Sequence, residues 1–251
     1  VCGASHEKLG QPCQDAHQWA AIADGVLVAA LADGAGSAPL AQVGATLAVG
    51  AAVDSLCRGD AQGRKDVLHW RELLNNALAA AKSAVEAEAN IRSIPAAHLA
   101  STLILVAAGP RFVAATQIGD GAVVAADAEG KFFSITRPAA SEYLNETVFL
   151  TSTEALPSAQ SAVWQGALAN LAILSDGLQM AALRMPGGEP HPGFFTPLFQ
   201  FLAQQSDGTA AQEALTSFLR SPRLRQRTDD DVTLVMATLV SGGSDATAAL
   251  I

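Results

Sequence analysis

Ala30-Leu31-Ala32-Asp33-Gly34-Ala35-Gly36-Ser37 is the stretch on which the fold turns. The apolar run Val26 to Ala32 stops abruptly at Asp33-Gly34. It reads as a strand that delivers a carboxylate to its tip, with glycine allowing a sharp turn. One such event is weak, because Asp-Gly commonly just ends a strand. Here it recurs. Gln14-Asp15 lies upstream, Ser175-Asp176-Gly177 follows the run Leu171 to Leu174, and Asp229-Asp230-Asp231 precedes Val232 to Val235. Acids at several strand ends, far apart in sequence, supply what a site for hard cations needs.

The 251 residues suit one large domain or two small ones, and half are hydrophobic, enough for a substantial core. Net charge is −9 with 16 % charged residues, a balance that disfavours nucleic acid and anionic membranes. Metal cations would still let such a chain hold a phosphorylated substrate. Cys2, Cys13 and Cys57 form no Cys-x-x-Cys and no disulfide framework, which predicts reduced thiols in a cytoplasmic protein. No apolar run is long enough for a membrane span, and the first residues do not read as a signal peptide.

Along the chain, 1–14 reads as an irregular segment or a short edge strand. Ala16 to Ile22 and Val26 to Ala32 flank Asp24-Gly25, a two-residue hairpin turn that sets Asp15 and Asp33 at one end. Two amphipathic helices follow. Leu40, Val43, Leu47, Val53 and Leu56 line the first; Val67, Trp70, Leu74, Leu78, Ala81 and Val85 line the second, which ends before Pro95. Four short runs between Thr102 and Ile135 read as an antiparallel meander, and Thr147 to Thr151 as strand-like. Leu178 to Arg184, Phe194 to Gln205 and Thr209 to Leu219 read as helices, and Val232 to Val240 as the last strand. A single domain over 1–240 and a mobile tail over 241–251 are expected. Without strict βαβ alternation, packed sheets with helices outside fit better than a parallel sheet.

Taken together, Ser5-His6-Glu7 through Gln14-Asp15-Ala16-His17, Asp33-Gly34-Ala35-Gly36, Ile118-Gly119-Asp120, Ser175-Asp176-Gly177 and Asp230-Asp231-Val232-Thr233 resemble the type 2C metal-dependent serine/threonine protein phosphatases, in a divergent bacterial-type branch. The resemblance spans nearly the whole chain. It implies an α+β fold, a four-layer α-β-β-α sandwich with two central antiparallel sheets between helix pairs. It implies two Mn²⁺ or Mg²⁺ ions, with Asp33 bridging them, the Gly34 carbonyl on one, and Asp176 and Asp230 on the other. Asp15 matches the acid of the first motif, and Asp120 a position associated with a third, weaker metal. The implied reaction is hydrolysis of phosphoserine and phosphothreonine esters by water activated between two cations, which needs no covalent intermediate. The implied partners are phosphorylated proteins, opposite a serine/threonine kinase.

The chain departs from the pattern at several points. Gln14 stands where many members have Glu, so one metal site is expected to be weaker. The arginine that holds substrate phosphate in many members is missing, leaving His6 or Lys8, neither of which offers a bidentate fork. Ala35 replaces a histidine of some eukaryotic members, and Met180 a second Asp. Asp231 takes the usual Asn position and is read, with Asp229, as flanking. Asp24 reads as a turn residue, His17 as a strand residue, and Asp120 equally as a turn or a ligand. Glu142, Asn145 and Glu146 read as a substrate-selecting flap. Two rival readings stand beside the phosphatase: a catalytically weak partner-binding module, for which the missing Glu and Arg speak, and a hydrolase of small phosphate esters.

Overall fold

The computed structural model describes residues 1–60, 67–138, 147–239 and 248–250. The expected flap residues Glu142, Asn145 and Glu146 lie outside them. The chain opens with helix α1 (Ala4–Leu9), not an irregular segment or an edge strand. Six residues are too few to show a helical period, and Gly10 closes the helix at φ 65°. The hairpin follows as expected. Strand β1 (Ala16–Ile22) pairs with β2 (Val26–Ala32), from Ala16 opposite Ala32 to Ile22 opposite Val26. Asp24 (φ 57°) and Gly25 (φ 68°) give the turn its two positive φ angles.

Helices α2 (Ala41–Asp60) and α3 (Val67–Arg92) come next, the second stopping short of Pro95. Strands β3 (Leu103–Gly109), β4 (Phe112–Ile118), β5 (Ala122–Asp127) and β6 (Phe132–Thr136) are where the meander was expected, but they are split between two sheets. The crossing is Gly119-Asp120-Gly121. Gly119 has φ +100°, and a Cβ on Gly121 would sit 2.6 Å from the Leu174 carbonyl oxygen. Hairpin signals in a sequence do not say which sheet a hairpin joins.

Thr147 to Thr151 forms no strand; the segment turns over the sheet end, where the Leu150 N–H donates to the Ser101 carbonyl at 2.8 Å. Strands β7 (Gln160–Gln165) and β8 (Leu168–Leu174) follow. Leu178 to Arg184 is less helical than expected, a single turn α4 (Gln179–Ala182) running into strand β9 (Leu183–Arg184), which pairs with β10 (Glu189–Pro190). Helices α5 (Pro192–Leu202), α6 (Gly208–Leu219) and α7 (Pro222–Arg225) precede β11 (Leu234–Leu239). Within the segment expected to be a mobile tail, β12 (Ala248–Leu250) pairs antiparallel with β11.

The two sheets have strand orders β1-β2-β3-β4-β7 and β12-β11-β8-β5-β6, antiparallel throughout. β2 shows how the layers stack. Val26, Val28, Ala30 and Ala32 face α2 and α3, packing with Trp70, Leu74, Leu78 and Val85. Leu27, Ala29 and Leu31 face the second sheet, packing with Val123, Ile173 and Val235. The far side of that sheet, with Val124, Leu174 and Met236, is covered by Phe195, Phe199 and Leu202 of α5 and by Leu215 of α6. The result is the α-β-β-α sandwich, whose central strands are buried on both faces and so are apolar runs with no alternation, while the edge strands β1 and β7 are partly exposed.

Close approach of α2 to the segment after α3 relies on Gly44, where a Cβ would lie 1.9 Å from the Leu99 carbonyl oxygen. Gly36 has no neighbour near its missing Cβ. Gly44→Ala should therefore destabilise the fold by about 1–3 kcal/mol in urea unfolding. Gly36→Ala should stay within about 0.5 kcal/mol of the parent.

Candidate active site

Antiparallel pairing brings the strand ends together. Asp33 follows β2 and Asp15 precedes β1, so both lie at the open end of that hairpin. Asp176 follows β8, and Asp230 precedes β11, which pairs with β8 starting from Leu174 opposite Leu234. Asp120 precedes β5, whose Ala122 also sits opposite Leu174. All five acids named in the sequence thus gather at one end of the sandwich. Asp33 is central: it lies within hydrogen-bonding reach of Asp15 and Asp176 and in the field of Asp230. Asp120 and Asp230 in turn face Asp176.

The electrostatic cost is plain in the acidities. Burial pushes the Asp33 carboxyl far above the usual carboxylate range, and the charges of Asp15, Asp176 and Asp230 push it further. Burial also raises Asp15, against the hydroxyls of Thr233 and Ser175, which stabilise its charge. Asp176 is raised by burial and by Asp120 and Asp230. Oδ1 of Asp15 and Oδ1 of Asp176 are buried without a hydrogen-bond partner, as is Oε1 of Gln14. Buried oxygens without donors, in a cluster of like charges, are the signature of a site that a cation completes. The donors are all hard oxygens, which fits Mg²⁺ or Mn²⁺ and not a thiolate-preferring metal.

Backbone and hydroxyl contacts hold these acids in place. Thr102 Oγ1 accepts from the Asp33 N–H at 3.0 Å, while the Thr102 N–H donates to the Asp33 carbonyl at 2.7 Å. Gly34 leaves no room for a side chain: a Cβ there would lie 2.8 Å from the Ala41 Cβ and 2.9 Å from the Gln14 Cβ. Ser175 Oγ donates to Asp15 Oδ2 at 2.9 Å and accepts from the Thr233 N–H at 2.9 Å, so one hydroxyl joins the two sheets under the cluster. Gln179 Nε2 donates to the Asp120 carbonyl at 2.6 Å, and Thr147 Oγ1 donates to Asp120 Oδ2 at 3.0 Å.

Two expectations need revision. Asp231 is no flanking residue. It is buried, and its two carboxylate oxygens accept the Gly3 and Gln14 N–H groups, each at 2.6 Å. Burial would raise its pKa, but these N–H groups and His6 outweigh that and hold it below the usual range. His6, expected at the substrate phosphate, is buried instead, with Nδ1 3.0 Å from Asp231 Oδ1. Lys8 is exposed on α1, while its neighbour Glu7 forms a two-pronged ion pair with Arg225 at 2.8 and 3.0 Å. Ser175, Thr233 and Thr102 were not singled out in the sequence, although each adjoins a strand end that was. Cys2, Cys13 and Cys57 form no disulfide with one another, and Asp24 sits in the hairpin turn.

Comparison with known proteins identifies the family and the fold. The protein phosphatase 2C family model matches residues 2–220. Serine/threonine-protein phosphatase 3 of Escherichia coli (strain K12) is 35 % identical over 244 residues, covering 94 % of each chain. The crystal structure of the serine/threonine phosphatase Stp1 from Staphylococcus aureus superposes with a TM-score of 0.63 at 14 % identity, covering 92 % of this chain and 91 % of that one. PppA of Pseudomonas aeruginosa, described as a key regulatory component of T6SS, gives 0.56 at 19 % identity, covering 88 % and 95 %. The chain belongs to the protein phosphatase 2C family, a family of metal-dependent protein phosphatases. Among the described residues, no helix is long and apolar enough to cross a membrane.

Asp231→Ala should strand the Gly3 and Gln14 N–H groups and cost about 3–5 kcal/mol in chemical denaturation. The pH dependence follows from the lowered pKa. Its stabilising contribution is present above the unfolded value of 3.8 and is lost as pH falls through the folded one. Asp231→Asn should accordingly flatten the loss of stability measured below pH 4.

Proposed function

We propose that this protein phosphatase works with two divalent cations held by the acids gathered around Asp33, which would bridge them. Gly34 O would complete one ion's protein ligands, and Asp176 and Asp230 the other's. Asp15 would act directly or through an ordered water, and Asp120 would support a third, weaker ion beside Asp176. The observation that carries this reading is the placement of Asp33, buried and facing Asp15, Asp176 and Asp230 at once. No role in folding accounts for so many buried like charges, and cations would convert their repulsion into binding.

When bound, the ions would supply an acidified water as nucleophile and neutralise charge on the attacking and leaving oxygens of the phosphate. The protein's own part is positional. Thr102 and the Gly34 turn fix Asp33, and Ser175 fixes Asp15 against Thr233. With Oδ2 held by Ser175, Asp15 keeps Oδ1 free for an incoming donor. Gln14 presents an amide oxygen where many relatives have a carboxylate, a neutral and hence weaker ligand. Lys8, exposed on α1, is the cation of the first motif open to an incoming phosphate. The substrates would be phosphorylated cytoplasmic proteins, opposite a serine/threonine kinase.

The test is turnover of a phosphothreonine peptide with Mn²⁺ and then with EDTA, beside p-nitrophenyl phosphate. Metal-dependent peptide turnover supports the reading. Turnover of the small ester alone would point to a small-ester hydrolase, and metal binding without turnover to a partner-binding module. Asp33→Asn and Asp176→Asn should each lower kcat/KM by at least about a hundredfold, since the ions supply several kcal/mol of stabilisation. Without metal, Asp33→Asn should melt above the parent, because one buried carboxyl has left the cluster. Gln14→Glu should tighten Mn²⁺ binding in calorimetry; an unchanged affinity would remove Gln14 from the site.

A further inference from the structure

A second cluster lies behind the acids, where α1 meets the Asp229–Asp231 loop. Sγ of Cys2, Nδ1 of His6 and a carboxylate oxygen of Asp231 all lie within 4.8 Å of one another. His6 is about nine-tenths buried and Asp231 more so, while Cys2 is half-buried. The His6 ring nitrogen is the telling atom. It lies 3.0 Å from Asp231 Oδ1, close enough to pair with that carboxylate when protonated, and among the described residues no other side chain or backbone group satisfies it. In the neutral ring that buried nitrogen, beside a thiol and a carboxylate, is placed to act as a metal ligand.

The scaffold around the three residues is rigid. Val232 N–H donates to the Val1 carbonyl at 2.9 Å, and the Ser5 N–H and Oγ both donate to the Asp229 carbonyl, at 3.0 and 2.7 Å. A Cβ on Gly3 would lie 2.3 Å from the Asp230 carbonyl carbon, so the two segments already touch. The carboxylate is oriented by the Gly3 and Gln14 N–H groups, as an outer hydrogen bond orients a metal ligand. Sulfur, imidazole nitrogen and one carboxylate oxygen form a mixed soft and borderline donor set. That set suits Zn²⁺ and is poorly matched to Mg²⁺, which prefers oxygens.

We propose that Cys2, His6 and Asp231 form a zinc-type cation site, distinct from the catalytic acids, that clamps α1 to the loop carrying Asp230. The three side chains would leave the fourth tetrahedral position to water. Binding would release the Cys2 thiol proton to solvent as Sγ takes up the metal. Because Asp230 precedes Asp231 directly, occupancy would fix the backbone that presents Asp230 to the catalytic end.

The test uses Co²⁺ as a coloured stand-in for Zn²⁺, on the full chain held in excess Mg²⁺ so that the hard-oxygen sites are filled. One equivalent of Co²⁺ should give a thiolate-to-cobalt absorption band in the near ultraviolet, removed by one equivalent of Zn²⁺. Cys2→Ser should abolish the band and His6→Gln should weaken Co²⁺ binding by more than the roughly 10- to 100-fold that an outer partner costs. Cys13→Ser should keep the band. Melting curves in Mg²⁺ check that the variants are folded; a variant that fails to fold is replaced by Cys2→Ala, read in the same way. No band in the parent, or a band that survives Cys2→Ser or Cys2→Ala, overturns the site. Neither result bears on Mn²⁺-dependent peptide turnover, so the proposed catalytic centre stands or falls separately.

Discussion

Like charges buried at one end of the sandwich are the constraint around which the structure is arranged. Asp33 alone faces Asp15, Asp176 and Asp230, and burial raises the cost of each charge. Isolated carboxylates in such a setting would take up protons or drive the strand ends apart. The fold resists the second outcome with hydroxyl and amide side chains that tie down the acids and their backbone: Thr102 on Asp33, Ser175 between Asp15 and Thr233, Gln179 on Asp120. Instability is thereby confined to the carboxylate oxygens themselves, where a cation relieves it.

Rigidity at that end comes from the layers behind it. The central strands of both sheets are covered on both faces, and much of the contact is made by small side chains. Ala30, Ala45, Ala48, Ala52, Ala77 and Ala81 are all fully buried between the first sheet and its helices. Small residues bring helix and sheet backbones close, leaving little freedom for a strand to slide. A one-residue slip of β2 would also carry Leu27 and Leu31 away from the second sheet. Register of the hairpin therefore sets where Asp33 emerges, and side-chain packing far from the phosphate fixes the position of a ligand.

The sequence made some of this legible and not the rest, for physical reasons. Asp33 and Asp176 were readable because an apolar run ending in an acid and a glycine is a local signal with a local cause, and Asp15 and Asp230 because each stands just before a strand-like run. Asp24 was readable as a turn for the same reason. α1 was not, since six residues hold fewer than two helical turns. The division of β3 to β6 between sheets was hidden because pairing across 50 residues leaves no trace at a hairpin. Asp231 was misread because its partners, the N–H groups of Gly3 and Gln14, lie more than 200 residues away and belong to the backbone, which carries no sequence signal. The available hint was its buried company: an acid set immediately before the apolar β11, one residue out of step with Asp230.

That pairing of neighbours has a consequence for how the site is built. Asp230 and Asp231 are adjacent, and in an extended segment successive side chains point to opposite sides. Asp230 reaches toward Asp33 and Asp176, while Asp231 turns back to Gly3, Gln14 and His6. Gln14 in turn precedes Asp15. A displacement of the N-terminal segment is therefore felt at Asp15 through the chain and at Asp230 through Asp231. The first motif and the last are joined by hydrogen bonds at 2.6 Å, so ligands from opposite ends of the chain move as one unit. A protein that must hold repelling carboxylates at fixed separation gains from that coupling, because no single strand end can relax alone.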